Sequence, residues 1–274
     1  MTRSGRGGVV GRALLPPRRG DAGREPAANF ALEEALFLKN EGLILRVWEN
    51  GESVIIGRGQ LARFETDVGY CHAHGIPILR RFTAGGAVYN GPGNVNWSLF
   101  VARSVGSGSL RYGSSPHEIF RTASRPLLSA LEDSGVDAWL DPPNRILTHE
   151  GKISGMAAYV SRRGFLCHGT LLVAADLEKL KALTTPSAEG IEKKYARSRD
   201  TKTANAALDV DSFIRTLVGT VADEAGIALE TSAPDGKELE LMRELVAKRY
   251  GDEGWNLGDP FAWRGRVAAP PVVR

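Results

Sequence analysis

The chain has 274 residues, with 35 Lys and Arg against 32 Asp and Glu, a net charge of +3, and 42% hydrophobic residues. That length suits one large domain, or an ordinary domain with an appendage, and so small a net charge gives no footing for nucleic-acid binding. Two cysteines, Cys71 and Cys167, are too few for a disulfide framework and read as small buried hydrophobes of a reducing compartment. No apolar run approaches the roughly 20 residues that span a bilayer, so no membrane partner is expected.

Residues 1–8 are rich in Gly and Arg and lack the apolar core of a signal peptide, because Arg12 cuts Val9-Val10 off from Leu14-Leu15. They predict a disordered tail on a cytoplasmic protein. Residues 9–15 predict a first strand, ended by Pro16-Pro17. A helix follows over 27–40, with Phe30, Leu32, Leu36 and Phe37 among its apolar positions and Glu33-Glu34 on the polar side. Residues 43–48 and 53–56 read as the two strands of a hairpin around Asn50-Gly51. A helix is expected over 66–75, extended segments over 78–81 and 87–89, and a strand over 94–101. Residues 116–134 predict a long helix with Pro126 as a point of bending. Residues 145–148 and 152–160 predict two strands joined at His149-Glu150-Gly151, with a third over 165–173. A short helix over 177–183 precedes a polar stretch, 184–205, that carries Lys193, Lys194, Arg197, Arg199 and Lys202. The last helices are expected over 211–225 and 237–250. Strand pairs with short turns, framed by separated helices, predict an α+β fold around a mixed, largely antiparallel sheet flanked by helices. Neither a regular βαβ alternation nor a Gly-x-x-x-x-Gly-Lys-Ser/Thr sequence is present, which argues against Rossmann and P-loop nucleotide sites.

Two short stretches carry chemistry. One is Arg80-Arg81-Phe82-Thr83-Ala84-Gly85-Gly86-Ala87-Val88-Tyr89, and the other is Gly151-Lys152-Ile153-Ser154-Gly155. Adjacent guanidinium groups leading into glycines make an anion-binding concavity, since glycine lets backbone N–H groups approach a phosphate or carboxylate. Read alone, each stretch has an ordinary alternative: a bent hairpin for the first, with Arg80 as a surface ion-pair partner, and an exposed hairpin lysine for Lys152.

Both stretches resemble the lipoate–protein ligase A family, as do Asn29 to Ala35, Ser53 to Gln60, Gly93 to Ser98, His168-Gly169-Thr170-Leu171-Leu172 and Trp255-Asn256. The resemblance runs in order along nearly the whole chain. It implies the catalytic-domain fold of biotin and lipoate protein ligases over residues 9–256, with 257–274 as an extended strap. It implies ATP and lipoate as substrates, with Mg2+: the lipoate carboxylate attacks the α-phosphate, pyrophosphate leaves, and lipoyl-AMP acylates a lysine of a carrier domain. Lys152 is the implied catalytic residue, reaching the α-phosphate and the acyl carbonyl. The implied ATP and lipoyl-AMP contacts are Arg80, Arg81, Thr83, Gly85, Gly86, Ala87, Val88, Tyr89, Asn94, Lys152, His168, Gly169 and Thr170, with His168 supporting from beneath and the region of Lys202 closing over the adenylate. The implied partners are lipoyl carrier domains, of 2-oxoacid dehydrogenase E2 or glycine cleavage H protein, and a separate small-domain subunit of the archaeal type. Ala84 stands where the family has its first glycine, and Asn90-Gly91 stand for His-Asp. Two alternatives keep the fold: an octanoyl or lipoyl transferase acting through a thioester, with Cys167 the candidate nucleophile, and a non-catalytic lipoate-binding homologue.

Overall fold

The computed structural model describes residues 10–16, 24–105, 110, 115–184 and 194–263. Its strands, in chain order, are β1 (Gly11–Leu14), β2 (Leu43–Trp48), β3 (Ser53–Ile56), β4 (Ile78–Arg80), β5 (Val88–Asn90), β6 (Asn94–Ala102), β7 (Trp139–Asp141), β8 (Arg145–Thr148), β9 (Gly151–Ser161), β10 (Gly164–Leu172) and β11 (Leu229–Thr231). Eight of them form one sheet in the order β11-β1-β2-β6-β10-β9-β8-β7, and β4-β3-β5 form a second. Pairing is antiparallel from β2 to β7, while β1 runs parallel to both β11 and β2. The sheet is therefore mixed and largely antiparallel, as the sequence predicts.

Side chains alternate between the faces of a strand, and the register sorts the large sheet into two surfaces. One carries Leu45, Leu99 and Cys167 in one row and Val47 and Trp97 in the next. It packs against α3 (Pro116–Asp133) and α5 (Val210–Ala225) in the largest core cluster. A capping box between Ser115 and Glu118 starts α3, which runs unbroken through Pro126. The opposite surface faces α1 (Pro26–Lys39), which lies between the two sheets: Leu36 and Phe37 meet Ile44, Phe100 and Leu166, while Phe30 and Ala31 meet Ile55 and Leu79 of the small sheet. Helix α6 (Gly236–Leu245), extended by a π-helical turn over Val246–Tyr250, covers the outside of α1.

Three expectations need correction. Asn50-Gly51 do not close a hairpin, because β2 belongs to the large sheet and β3 to the small one. Instead Asn50 Oδ1 accepts from Asn29 Nδ2, and Gly51 N donates to Arg24 O, so the turn anchors to the start of α1 while the chain crosses between sheets. Glu33 and Glu34 are not on a polar face, since both are fully buried. A buried carboxylate needs compensation, and each has it: Glu34 pairs with Arg249 and accepts from the Tyr250 hydroxyl at 2.8 Å, and Glu33 accepts from His168 and Ser98. The short edge strands β7 and β11 were not expected. The tail 1–8, Lys193 and the strap beyond residue 263 lie outside the described residues. Among those residues no helix is long and apolar enough to cross a membrane.

Candidate active site

Residues 83–87 form a loop whose shape only glycine permits at two points. A Cβ on Gly57 would lie 2.1 Å from Gly85 O, and Gly85 itself has φ +105°, in the region that L side chains avoid. The loop is held from below by Arg81. Its guanidinium, 5% exposed, donates to Thr83 Oγ1 at 3.0 Å, Ala84 O at 2.8 Å and Gly86 O at 2.9 Å. Burial lowers the Arg81 pKa to about 10, against an opposing pull from Glu33. Behind it runs a buried chain: Thr83 Oγ1 meets His168 Nε2 at 2.8 Å, and His168 Nδ1 donates to Glu33 Oε1 at 2.8 Å. Burial alone would raise the Glu33 carboxyl, but His168, Ser98 and Arg46 together hold it below its usual range.

The floor of the site is the α1-facing surface of the large sheet. Strand register aligns one row across it, Trp48, Asn96, Thr170, Gly155 and Arg145, and a second row, Arg46, Ser98, His168 and Ala157. Lys152, near the start of β9, lays its side chain along this floor. A Cβ on Gly155 would sit 2.9 Å from Lys152 Nζ and 3.0 Å from its Cε, so the glycine is the space that the lysine occupies. Among the described residues Lys152 makes no side-chain hydrogen bond or ion pair. Its pKa is lowered by burial first, then by the neighbouring Arg145 and Arg81 charges. A half-buried cation flanked by two further cations, with no partner among the described residues, favours the approach of an anion.

The basic segment 194–205 lies along the mouth. Ser198 Oγ accepts from Ala87 N at 2.7 Å and from Gln60 Nε2 at 3.1 Å, which ties the segment to the glycine loop. Arg197 is anchored by Glu65, a fully buried carboxylate, at 2.7 Å. Further on, Lys152 N donates to Lys202 O and Ala204 N to Lys152 O, so the segment also docks beside the lysine.

These elements enclose two joined lobes of about 300 and 430 Å³. Both touch Ala87, Val88, Lys152, Gly155, Thr170 and Ser198. The first has an apolar end at Phe30, Trp48 and Ile55, contains Arg81, Arg145 and Arg197, and has no Asp or Glu in its lining. The second runs past Tyr89 to Leu180, and its charged lining mixes Lys181 and Lys202 with Glu178 and Asp200. β5 is an edge strand of the small sheet, so beside the second lobe it has one side without a ladder partner, which suits a ligand that pairs with backbone groups.

Of the residues expected at the site, Arg81, Gly86, Ala87, Val88, Lys152, His168, Gly169 and Thr170 line the first lobe, and Tyr89 lines the second. Thr83, Gly85 and Asn94 stand behind the lining; Asn94 Nδ2 donates to Tyr89 O and shapes the turn after β5. Arg80 is displaced from its expected place, neither a ligand contact nor a surface partner. It is fully buried and turned away, donating to the carbonyls of Gln60, Trp255 and Gly258, among others. It clamps the segment after residue 254 onto the small sheet. Sequence reasoning missed Phe30, Trp48, Ile55, Asn96, Arg145 and Ser198, which reach the lobes from six different segments of the chain. Only their apolar or strand-like setting was visible.

A cleft with an apolar end, several cations and a lysine without a partner among the described residues suits the joining of an acid to a phosphate-bearing molecule. The chain belongs to the family described as the lipoyl protein ligase A/B catalytic domain, whose model matches residues 25–220. It is similar to lipoate-protein ligase A subunit 1 of Thermoplasma acidophilum, with 31% identity over 264 residues, 91% of this chain and 97% of that protein. The structure of a bi-partite lipoate protein ligase and its E2 lipoyl domain from the same organism superimposes with a TM-score of 0.78 at 27% identity, covering 94% and 99% of the two chains. A lipoate-protein ligase A bound with ATP matches with a TM-score of 0.75 at 27% identity, covering 91% and 99%.

Proposed function

We propose that this chain is an ATP-dependent lipoate–protein ligase, which converts lipoate to lipoyl-AMP and transfers the lipoyl group to a lysine of a carrier lipoyl domain. The observation that carries this reading is Lys152, which both lobes share and whose side chain has no partner among the described residues. The likeness to an ATP-bound ligase, and to a ligase solved with its E2 lipoyl domain, supports the same substrates and partner.

The residues divide the work. The first lobe takes the acyl chain against Phe30, Trp48 and Ile55, and the second takes the nucleotide along β5, with Lys181 and Lys202 near its phosphates. The lipoate carboxylate then lies at Lys152, beside the α-phosphate. As the carboxylate attacks phosphorus and pyrophosphate leaves, Lys152 balances charge on the phosphoryl oxygens, with Arg81 and Arg145 adding their field. In the second step the carrier amine attacks the acyl carbonyl, Lys152 faces the oxygen that gains charge, and AMP departs. Mg2+ would neutralise charge on the ATP phosphates in the second lobe, whose lining includes the carboxylates Glu178 and Asp200.

The thioester alternative finds no support. Cys167 is fully buried on the far surface of the sheet, and burial pushes its thiol well above the ordinary range. Cys71 is buried beside Thr66, and its pKa too is raised. Two free thiols support a cytoplasmic location. We take residues 9–256 as the catalytic domain and 257–274 as a strap, which Arg80 and the Tyr195–Asp259 hydrogen bond secure where it is described. Similarity to a subunit 1 supports a separate accessory polypeptide needed to activate free lipoate. Incubation with ATP, lipoate and an apo carrier domain, with and without that polypeptide, tests the reading. Pyrophosphate release and a lipoylated carrier are expected with both proteins present, and their absence in every arm would refute it.

A further inference from the structure

The first lobe holds hydrogen-bonding capacity that the fold leaves unused. Among the described residues Asn90, fully buried at the end of β5, has no partner for either Nδ2 or Oδ1, and Asn96, 3% exposed on β6, has none for Nδ2. Both line the first lobe and neither lines the second. Buried amides in folded proteins are nearly always bonded, so orphans facing a cavity mark where a ligand completes the bonding. Their place along the lobe follows from register. Asn96 lies between Trp48 on β2 and Thr170 on β10, and Thr170 is beside Gly155, over which Lys152 extends. From β9 to β2 is three strand spacings, roughly 14 Å. The slot thus runs from a cation to the edge-to-face pair of Phe30 and Trp48, whose centroids are 5.2 Å apart, with Asn96 in its far half. Asn90 enters from the facing sheet, where it pairs with Ser53.

We propose that Asn90 and Asn96 set the acid specificity of this site, favouring an acid whose far end carries sulfur over a plain hydrocarbon chain of the same length. The inference rests on the ligase reading above. A methylene chain packed against these amides leaves them dry and unbonded, and each unmet buried donor costs about tenfold in affinity or more. Sulfur accepts weakly from an amide N–H and is polarisable against aromatic edges, so a sulfur ring answers the Nδ2 donors of Asn90 and Asn96 and the Phe30–Trp48 pair. A site built to hydrogen-bond its substrate discriminates most strongly against the analogue that lacks the partner atom.

The test compares transfer from preformed lipoyl-AMP and octanoyl-AMP to an apo carrier lysine, as the ratio of the two kcat/KM values. Wild type, Asn96→Val, Asn90→Leu and the double variant are measured, with Asn96→Thr as the version that keeps a side-chain hydrogen-bond donor. Wild type should favour lipoyl-AMP by at least tenfold. The apolar variants should shift the ratio toward octanoyl-AMP by about tenfold, and Asn96→Thr should shift it less. A wild-type preference for octanoyl-AMP, or a ratio unmoved in the variants, overturns the proposal while leaving the ligase reading intact. An equal loss with both adenylates also overturns it, because it assigns the amides to the shared AMP moiety. Transfer from neither adenylate by wild type would sink the ligase reading itself. The wild-type ratio needs no variant, so a variant that fails to fold leaves the proposal open to refutation.

Discussion

Replacing Lys152 by methionine should separate activity from stability. The lysine makes no side-chain hydrogen bond or ion pair among the described residues, is half-buried, and faces Arg145 and Arg81, so its charge gains little from the fold. Losing a cation aimed at developing oxyanion charge should lower the rate of acyl-adenylate formation by about 100- to 1,000-fold, or roughly 3–4 kcal/mol. Stability should hold or rise. Because the folded-state pKa lies below the ordinary lysine value of 10.5, the unfolded chain binds more protons in the alkaline range just under that value. Wild-type stability therefore falls as pH drops through that window and stays at its lower level at neutral pH, a penalty that methionine removes. Pyrophosphate release and thermal melting at pH 7 measure the two quantities. Wild-type pyrophosphate release by Lys152→Met, or a melting temperature several degrees lower, would refute the assignment of Lys152 as a site cation.

Other substitutions probe the surrounding machinery. Gly155→Ala should displace the lysine without touching its charge, because the new Cβ would stand 2.9 Å from Nζ; a loss of at least tenfold in rate with little change in melting is expected. Glu34→Gln should leave the Arg249 charge buried without its counter-ion and cost about 3–5 kcal/mol in chemical denaturation, whereas a loss below 1 kcal/mol would show that the pair is dispensable. Cys167→Ala should keep most of the transfer activity, since the thiol faces the α3 and α5 core, and a hundredfold loss of rate in a folded variant would revive the thioester route.

The sequence showed most of the elements because their signals are local. Alternation marks β6 and β10, glycines mark the loop at 85–86, and His149-Glu150-Gly151 joins β8 to β9. What it concealed depends on partners distant in the chain. Glu33 and Glu34 look like helix surface until His168, Arg249 and Tyr250 arrive from 135, 215 and 216 residues away. Asn50-Gly51 carries the local chemistry of a hairpin, yet tertiary pairing with Asn29 and Arg24 sends the next strand to another sheet. Arg80 and Arg81 read as twins, but adjacent residues of an extended chain point opposite ways. One supports the glycine loop and the other clamps the segment around Trp255. The apolar end of the slot was illegible because Phe30, Trp48 and Ile55 come from a helix and two sheets, with no spacing that connects them.

The most direct measurement of the central claim is to look for the intermediate itself. The chain, together with the accessory polypeptide proposed above, is incubated with lipoate and ATP labelled at the α-phosphate, first without a carrier domain. The account predicts a protein-bound, labelled lipoyl-AMP that disappears when apo carrier is added, leaving AMP and an amide on the carrier lysine. A carrier lipoylated with no labelled adenylate at any time, or an acyl group found on a thiol of the chain, would contradict it.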